Sequence, residues 1–184
     1  MRHAAAAALL LVSGCALTAD VEIPTIALVL PQQSFPAASL VVNQCGTGDP
    51  NGCVQTDLDY DLGSQIGILG AAHTTSEVRL TDLGIELTAG ASNLDGIASA
   101  KVEVVAPNGT DAVLVASYAR PASASNVQSI AVQGSADTDL SPYLQSGKIH
   151  VRLKLTYDAP TPAFTADVRA TFYVKVTYDY GHQL

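Results

Sequence analysis

The chain contains no tryptophan, one methionine and three phenylalanines in 184 residues, with seven tyrosines completing its aromatics. A barrel that crosses a membrane needs aromatic girdles at both interfaces, so this scarcity speaks against one. It also removes the buried tryptophan of an immunoglobulin domain proper, and it weakens any reading as a polysaccharide platform. Basic residues are few as well: nine lysines and arginines stand against 17 acids, a net charge of −8. Such a surface repels phosphate backbones and anionic headgroups, which argues against nucleic acid as a partner and against electrostatic docking on lipid. A membrane-spanning helix needs about 20 strongly apolar residues. The stretch 4–19 is shorter and is diluted by Ser13, Gly14 and Thr18.

Chemical motifs are missing too. No HExxH, Walker A or GxGxxG pattern occurs, and Gly63-Ser64-Gln65-Ile66-Gly67 lacks the spacing of a nucleophile elbow. Of four histidines, His3 lies near the start, His182 in the C-terminal tail and His150 on the polar side of an alternating segment. His73 sits in a loop-like Ala-Ala-His-Thr-Thr run and needs a distant acid and hydroxyl before it could serve catalysis. The expectation is a protein that is not an enzyme. A hydrolase with non-contiguous catalytic residues is the alternative.

What is present begins at the first residue. Met1, Arg2 and His3 form a short charged region, and Ala4 to Val12 is an uncharged apolar stretch of the length found in export signals. Leu11-Val12-Ser13-Gly14-Cys15 follows, with a branched apolar residue and then small ones before the cysteine. This resembles the lipobox of bacterial lipoprotein precursors. The resemblance covers residues 1–15 and implies diacylglyceryl transfer to the Cys15 thiol, cleavage before it, and anchoring of the mature chain on a membrane. Two or three acyl chains hold a protein stably, because each buried CH₂ contributes about 0.8 kcal/mol. Ala16 stands where enteric inner-membrane lipoproteins commonly carry Asp, so the resemblance points to the outer membrane. Residues 15–19 then form the lipidated cysteine and a short tether, and 20–184 form one domain. Loss of the signal takes Arg2 with it and leaves 170 residues with a net charge of −9.

With Cys15 committed to lipid, Cys45 and Cys53 remain, in an exported compartment where disulfides persist. The Gly-Thr-Gly-Asp-Pro-Asn-Gly run between them supplies turn geometry that lets the ends meet. A disulfide is expected, stabilising by roughly 2 to 3 kcal/mol on the loop-entropy model.

Beyond the loop the chain reads as strands. Ile149, Val151, Leu153, Leu155 and Tyr157 alternate with polar residues, and so do the apolar positions from Ala166 to Tyr178. The Ala159 to Pro162 break between them suggests an antiparallel pair. Pro107-Asn108-Gly109-Thr110 reads as a hairpin turn between 100–106 and 112–118. Further strands are expected at 21–30, 39–43, 76–80, 84–88 and 127–133. Ser141-Pro142 opens one short capped turn, with Ser141 as cap and Gly147 as stop. Many short antiparallel strands without a repeat predict an all-β, two-sheet β-sandwich of immunoglobulin-like or jelly-roll type.

One segment carries the germ of a site. Asp57, Asp59 and Asp61 alternate, so an extended chain places three carboxylates on one side, as hard ligands for Ca²⁺ would require. The segment resembles the opening of an EF-hand loop but has glycine one place late, at Gly63, and Ile68 where a bidentate Glu belongs. Asp49 and Asn51 could add oxygens. A solvated acidic strand face is the competing reading, and no other cofactor is expected. The functional expectation is therefore a membrane-anchored exported lipoprotein with a binding or structural role in the cell envelope. It meets the membrane through its lipid, and its partner is another envelope protein or a surface ligand. Metabolic labelling with a fatty-acid analogue is expected to mark the wild type and to fail on Cys15→Ala; equal labelling of both would remove the anchor.

Overall fold

The computed structural model describes residues 18–41, 43–67, 69 and 72–179. Cys15 with the rest of the expected export signal, Ile68 and His182 lie outside them. Among the described residues the chain forms eight strands: β1 (Thr18–Phe35), β2 (Cys53–Asp61), β3 (Thr74–Ala89), β4 (Ile97–Val105), β5 (Ala112–Ala119), β6 (Ser129–Gln133), β7 (Lys148–Tyr157) and β8 (Phe164–Asp179). A single 3-10 turn at Ser141–Tyr143 precedes β7. No helix among the described residues is long and apolar enough to cross a membrane.

The strands build two four-stranded sheets, in the orders β1-β8-β3-β6 and β2-β7-β4-β5, with every pairing antiparallel. These orders follow from one long ribbon. β4 pairs with β5 through the Pro107–Thr110 turn, and then β3 with β6, β2 with β7 and β1 with β8, as if a single hairpin had its tip at that turn. Rolling the ribbon brings β8 against β3 and β7 against β4, which completes both sheets. The result is a jelly roll, the second of the two sandwich types the sequence allowed.

Several local expectations change. β7 and β8 do not pair with each other but sit centrally in opposite sheets, so the 158–163 link is a crossover. Pro160 and Pro162 keep it extended, and Thr161 bridges to Ala38. The described residues of 39–43 form no strand; Leu40 and Val41 lie in a turn and are exposed. The segments 76–80 and 84–88 are one strand, broken in pattern by a bulge between Leu80 and Asp82 that moves the inward phase from Val78 and Leu80 to Leu83 and Ile85. Thr18 and Ala19 are already paired with Asp179 and Tyr178, so among the described residues β1 includes two positions before Asp20. Ser141 is the first residue of the 3-10 turn, not its cap; Asp139 accepts its N–H at 3.0 Å and its hydroxyl at 2.7 Å.

The inward rows are buried as alternation demands: Ile149, Val151, Leu153 and Leu155 from β7, and Ala166, Val168, Ala170, Phe172, Val174 and Val176 from β8. Tyr60 of β2 meets Phe172 edge-on at 5.9 Å, joining the two sheets, and Phe35 stacks on Phe164 at 4.7 Å to close one end. That end, called the far end below, gathers the loops 36–52, 90–96, 120–128 and 158–163. The near end holds the start of β1 beside the end of β8, together with the ribbon tip. Two tyrosines of the core differ in their hydroxyls. Burial pushes both well above the ordinary phenol range, yet Tyr60 donates to the Val168 carbonyl at 3.3 Å, whereas Tyr157 has no partner among the described residues. Tyr157→Phe is therefore expected to leave stability unchanged or raised, while Tyr60→Phe loses about 1 kcal/mol; urea unfolding of the two variants measures the contrast.

Candidate functional site

The acidic segment lies on β2, and its three carboxylates share the outward face as their spacing required. β7 runs beside it with a basic residue opposite each: Asp57 faces Arg152, Asp59 faces His150 and Asp61 faces Lys148. His150 Nδ1 is 2.8 Å from Asp59 Oδ1, and its Nε2 is 3.8 Å from Asp57. Arg152 Nε is 3.5 Å from Asp57, an ion pair without hydrogen-bond geometry. Asp61 accepts the Ser64 N–H at 2.9 Å and turns the chain out of the strand. Among the described residues no three acids, histidines or cysteines converge as a metal cage. The arrangement is a ladder of opposite charges across two strands.

The Cys45–Cys53 disulfide is formed, with Cα atoms 5.6 Å apart. Gly52 ends the loop with φ +79°, and an added Cβ would stand 2.8 Å from the Tyr157 carbonyl, so glycine is required there on both counts. Asp49, considered above as a possible Ca²⁺ ligand, receives Lys154 at 3.0 Å and Lys101 at 3.2 Å. The Lys154 ammonium, aided by Lys101, outweighs the cost of burial and holds the Asp49 carboxyl below its usual range. Lys154 also binds Glu103 at 3.1 Å; burial opposes its charge, but the two carboxylates prevail and raise its pKa. This cluster pins the disulfide loop to the sheet.

At the far end three loops enclose a cleft of about 480 Å³. Asp95 reaches from the 90–96 loop and accepts the N–H groups of Asn126 and Val127, both at 2.8 Å. Those two bonds hold its carboxyl below the usual range. Arg120 clamps Asp158 with two bonds, at 2.5 and 3.2 Å, tying the 120–128 loop to the crossover. Ser92, Asn93, Pro160 and Pro162 complete a wall of mixed polarity. No sequence spacing joined these residues, because Asp95 and Val127 are 32 positions apart and Arg120 and Asp158 are 38 apart. The signals available were turn residues, which mark loops but not which loops meet. Polar groups on loops held by a rigid sandwich are the usual place for recognition.

A second depression, of about 430 Å³, opens at the near end where the charge ladder meets the ribbon tip. His73 lines neither depression. His150 faces carboxylates and no hydroxyl.

No protein-family model and no curated protein sequence matches the chain. Similar solved structures include one from work on promiscuous carbohydrate-binding modules of the β-sandwich superfamily, at 12% identity and a TM-score of 0.32, covering 85% of this chain and 54% of that one. This chain thus spans about half the length of that protein. The infectious bursal disease virus Gx strain structure shows 9% identity and a TM-score of 0.38, over 84% of this chain and 36% of the viral one. The unassembled Washington University Polyomavirus VP1 pentamer shows 9% and 0.32, over 91% and 99%. Similarity at this level says nothing of ligand or partner.

The far cleft is predicted to be sensitive to acid. The pKa of Asp95 is lowered on folding, so its contribution is complete above the unfolded carboxylate range near 4 and is lost as pH falls through the folded-state value. Asp95→Asn leaves one acceptor oxygen in place of two. Amide exchange at Asn126 or Val127 is expected to accelerate in this variant at neutral pH, and in the wild type only at low pH, with β7 and β8 unaffected.

Proposed function

We propose that this chain is an exported envelope lipoprotein, anchored through Cys15, whose role is to bind rather than to catalyse. The observation that carries the reading is the placement of the two ends. β1 opens at Thr18 beside Asp179, at one end of the sandwich, and the cleft between loops lies at the other. Only Ala16 and Leu17 separate Cys15 from the paired strand. Acyl chains on Cys15 would therefore hold the near end against the bilayer and point the cleft away from it. At about 3.3 Å per residue, the length of β1 sets the far loops roughly 50 to 60 Å from the membrane.

The partner in this reading is another envelope protein or a surface ligand, met at the far loops. A rigid jelly roll suits such a role, since it carries loops whose sequence is free to vary while the inward rows keep the fold. The scarcity of lysine and arginine assigns membrane attachment to the lipid instead of the protein surface. Outer-membrane placement rests on Ala16.

The test combines fractionation with cross-linking in a bacterium that processes lipoproteins. Wild type is expected to sediment with outer membrane on a density gradient, and Cys15→Ala to appear in the soluble fraction. A photoreactive residue at Ser92 or Ala122 should yield discrete adducts, and one at Thr138 of the near end should not. Membrane recovery of Cys15→Ala equal to wild type would overturn the anchor. Adducts arising from Thr138 alone would overturn the far cleft as the binding face.

A further inference from the structure

We infer that Asn51 is a site of spontaneous modification, where the side-chain amide is lost and a mixture of aspartate and isoaspartate takes its place. The tripeptide Pro-Asn-Gly occurs twice in the chain, as Pro50-Asn51-Gly52 in the disulfide loop and as Pro107-Asn108-Gly109 at the ribbon tip. Asparagine before glycine is the pair in which this chemistry is easiest, because no Cβ on the second residue hinders its nitrogen from approaching the amide carbon. Both asparagines are exposed, and both glycines are left-handed, with φ +79° at Gly52 and +74° at Gly109. Local sequence and glycine conformation therefore leave the two sites alike. Hydrogen bonding separates them.

At Asn108 every reacting group is held. Its Nδ2 donates to Asp111 Oδ2 at 3.1 Å, and its Oδ1 accepts the Thr110 and Asp111 N–H groups at 3.1 and 3.4 Å. The Gly109 N–H, whose nitrogen would be the nucleophile, donates to the Ala106 carbonyl at 2.8 Å. At Asn51 neither the side-chain amide nor the Gly52 N–H has a hydrogen-bond partner among the described residues. The remaining asparagines are tied as well: Asn43 to Gly46, Asp49 and Cys45, Asn93 to the Asp95 N–H, and Asn126 to Gln128. They precede Gln44, Leu94 and Val127, whose side chains crowd the attack. Among the described residues Asn51 alone combines a following glycine, exposure and an unbonded amide.

The reaction needs no partner but water. The Gly52 nitrogen gives up its proton and attacks Asn51 Cγ, forming an N–Cγ bond. The Cγ–Nδ2 bond breaks, and ammonia leaves with that proton, so a cyclic succinimide remains. Water then opens the ring at Cγ and restores an α-linked aspartate, or opens it at the backbone carbonyl carbon and leaves the chain running through Cβ as isoaspartate. Either product adds a negative charge to the loop, and the second lengthens its backbone. Gly52 is fixed, since its carbonyl accepts the Tyr157 N–H at 3.0 Å and no Cβ fits between it and the Tyr157 carbonyl. The slack therefore falls in the exposed part of the loop before it. Because this loop belongs to the far end, the modification changes the charge and shape of that face with time, whether or not the chain carries a lipid.

The experiment is peptide mapping by mass spectrometry of the full chain after timed incubation in warm, mildly alkaline buffer, with the same chain reduced and held in guanidinium chloride as reference. In denaturant the two Pro-Asn-Gly sites are expected to convert at similar rates. In the folded chain, aspartate and isoaspartate should accumulate at position 51 while Asn108 lags by about tenfold or more, as the hydrogen bonds held there imply. Asn51→Gln should abolish the acid gain in the disulfide loop and leave the slow conversion of Asn108 as it was. The inference is overturned if the folded chain shows the same ratio of the two rates as the denatured one, or if any other asparagine converts ahead of Asn51. It is equally overturned if Asn51 stays intact in the folded chain through an incubation that converts it fully in denaturant, or if the loop still gains acid in Asn51→Gln.

Discussion

The structure depends on two inward rows of apolar side chains, one on β7 and one on β8. Each strand lies between two others in its own sheet, and each alternates through its buried length without a bulge of its own. Facing one another across the sandwich, Ile149 to Leu155 and Ala166 to Val176 belong to a single buried cluster. Removing that much apolar surface from water is the dominant favourable term available to a chain with one methionine and no tryptophan. Partner strands adapt to these two: β1 and β3 carry the register shifts against β8, and β4 carries one against β7.

Once the central strands are set, the outer strands become edges and must be kept from pairing with other chains. β1 is the longest and the most at risk, at 18 residues. It carries Pro24 and Pro31, which donate no hydrogen bond, two register shifts, and Gln32 in a left-handed conformation with its N–H turned to Asp167. These features interrupt the flat run that edge-to-edge association needs. The same devices let β1 follow the curve of the roll.

Outward faces obey electrostatics in place of packing. The acids outnumber the bases nearly two to one, yet β7 concentrates four basic positions, Lys148, His150, Arg152 and Lys154, between the acidic row of β2 and Glu103 of β4. Three of them hold carboxylates, and Lys154, itself well shielded, binds both Asp49 and Glu103. The ladder relieves self-repulsion on that sheet. At the far end Asp95 and Arg120 act differently, by joining loops: Arg120 pairs with Asp158, and Asp95 is held by the Asn126 and Val127 N–H groups.

Much of the architecture was legible locally. The alternation of β7 and β8, the hairpin at Pro107–Thr110 and the disulfide between Cys45 and Cys53 each follow from neighbours within a few residues, where period-two burial, turn chemistry and loop closure act. The proposed export signal ending at Cys15 rests likewise on a contiguous run. Strand order was not legible, because an alternating strand satisfies its apolar face in either sheet and nothing between Tyr157 and Phe164 says whether the chain returns or crosses. The far cleft and the basic depression were hidden for the same reason. Asp95 meets Val127, and Val105 comes opposite His150, only after the ribbon rolls. Sequence by itself determined which faces turn inward and where the chain turns; tertiary structure alone decided which strands became neighbours, because those pairings are set by long-range burial of faces that any of several partners could have covered.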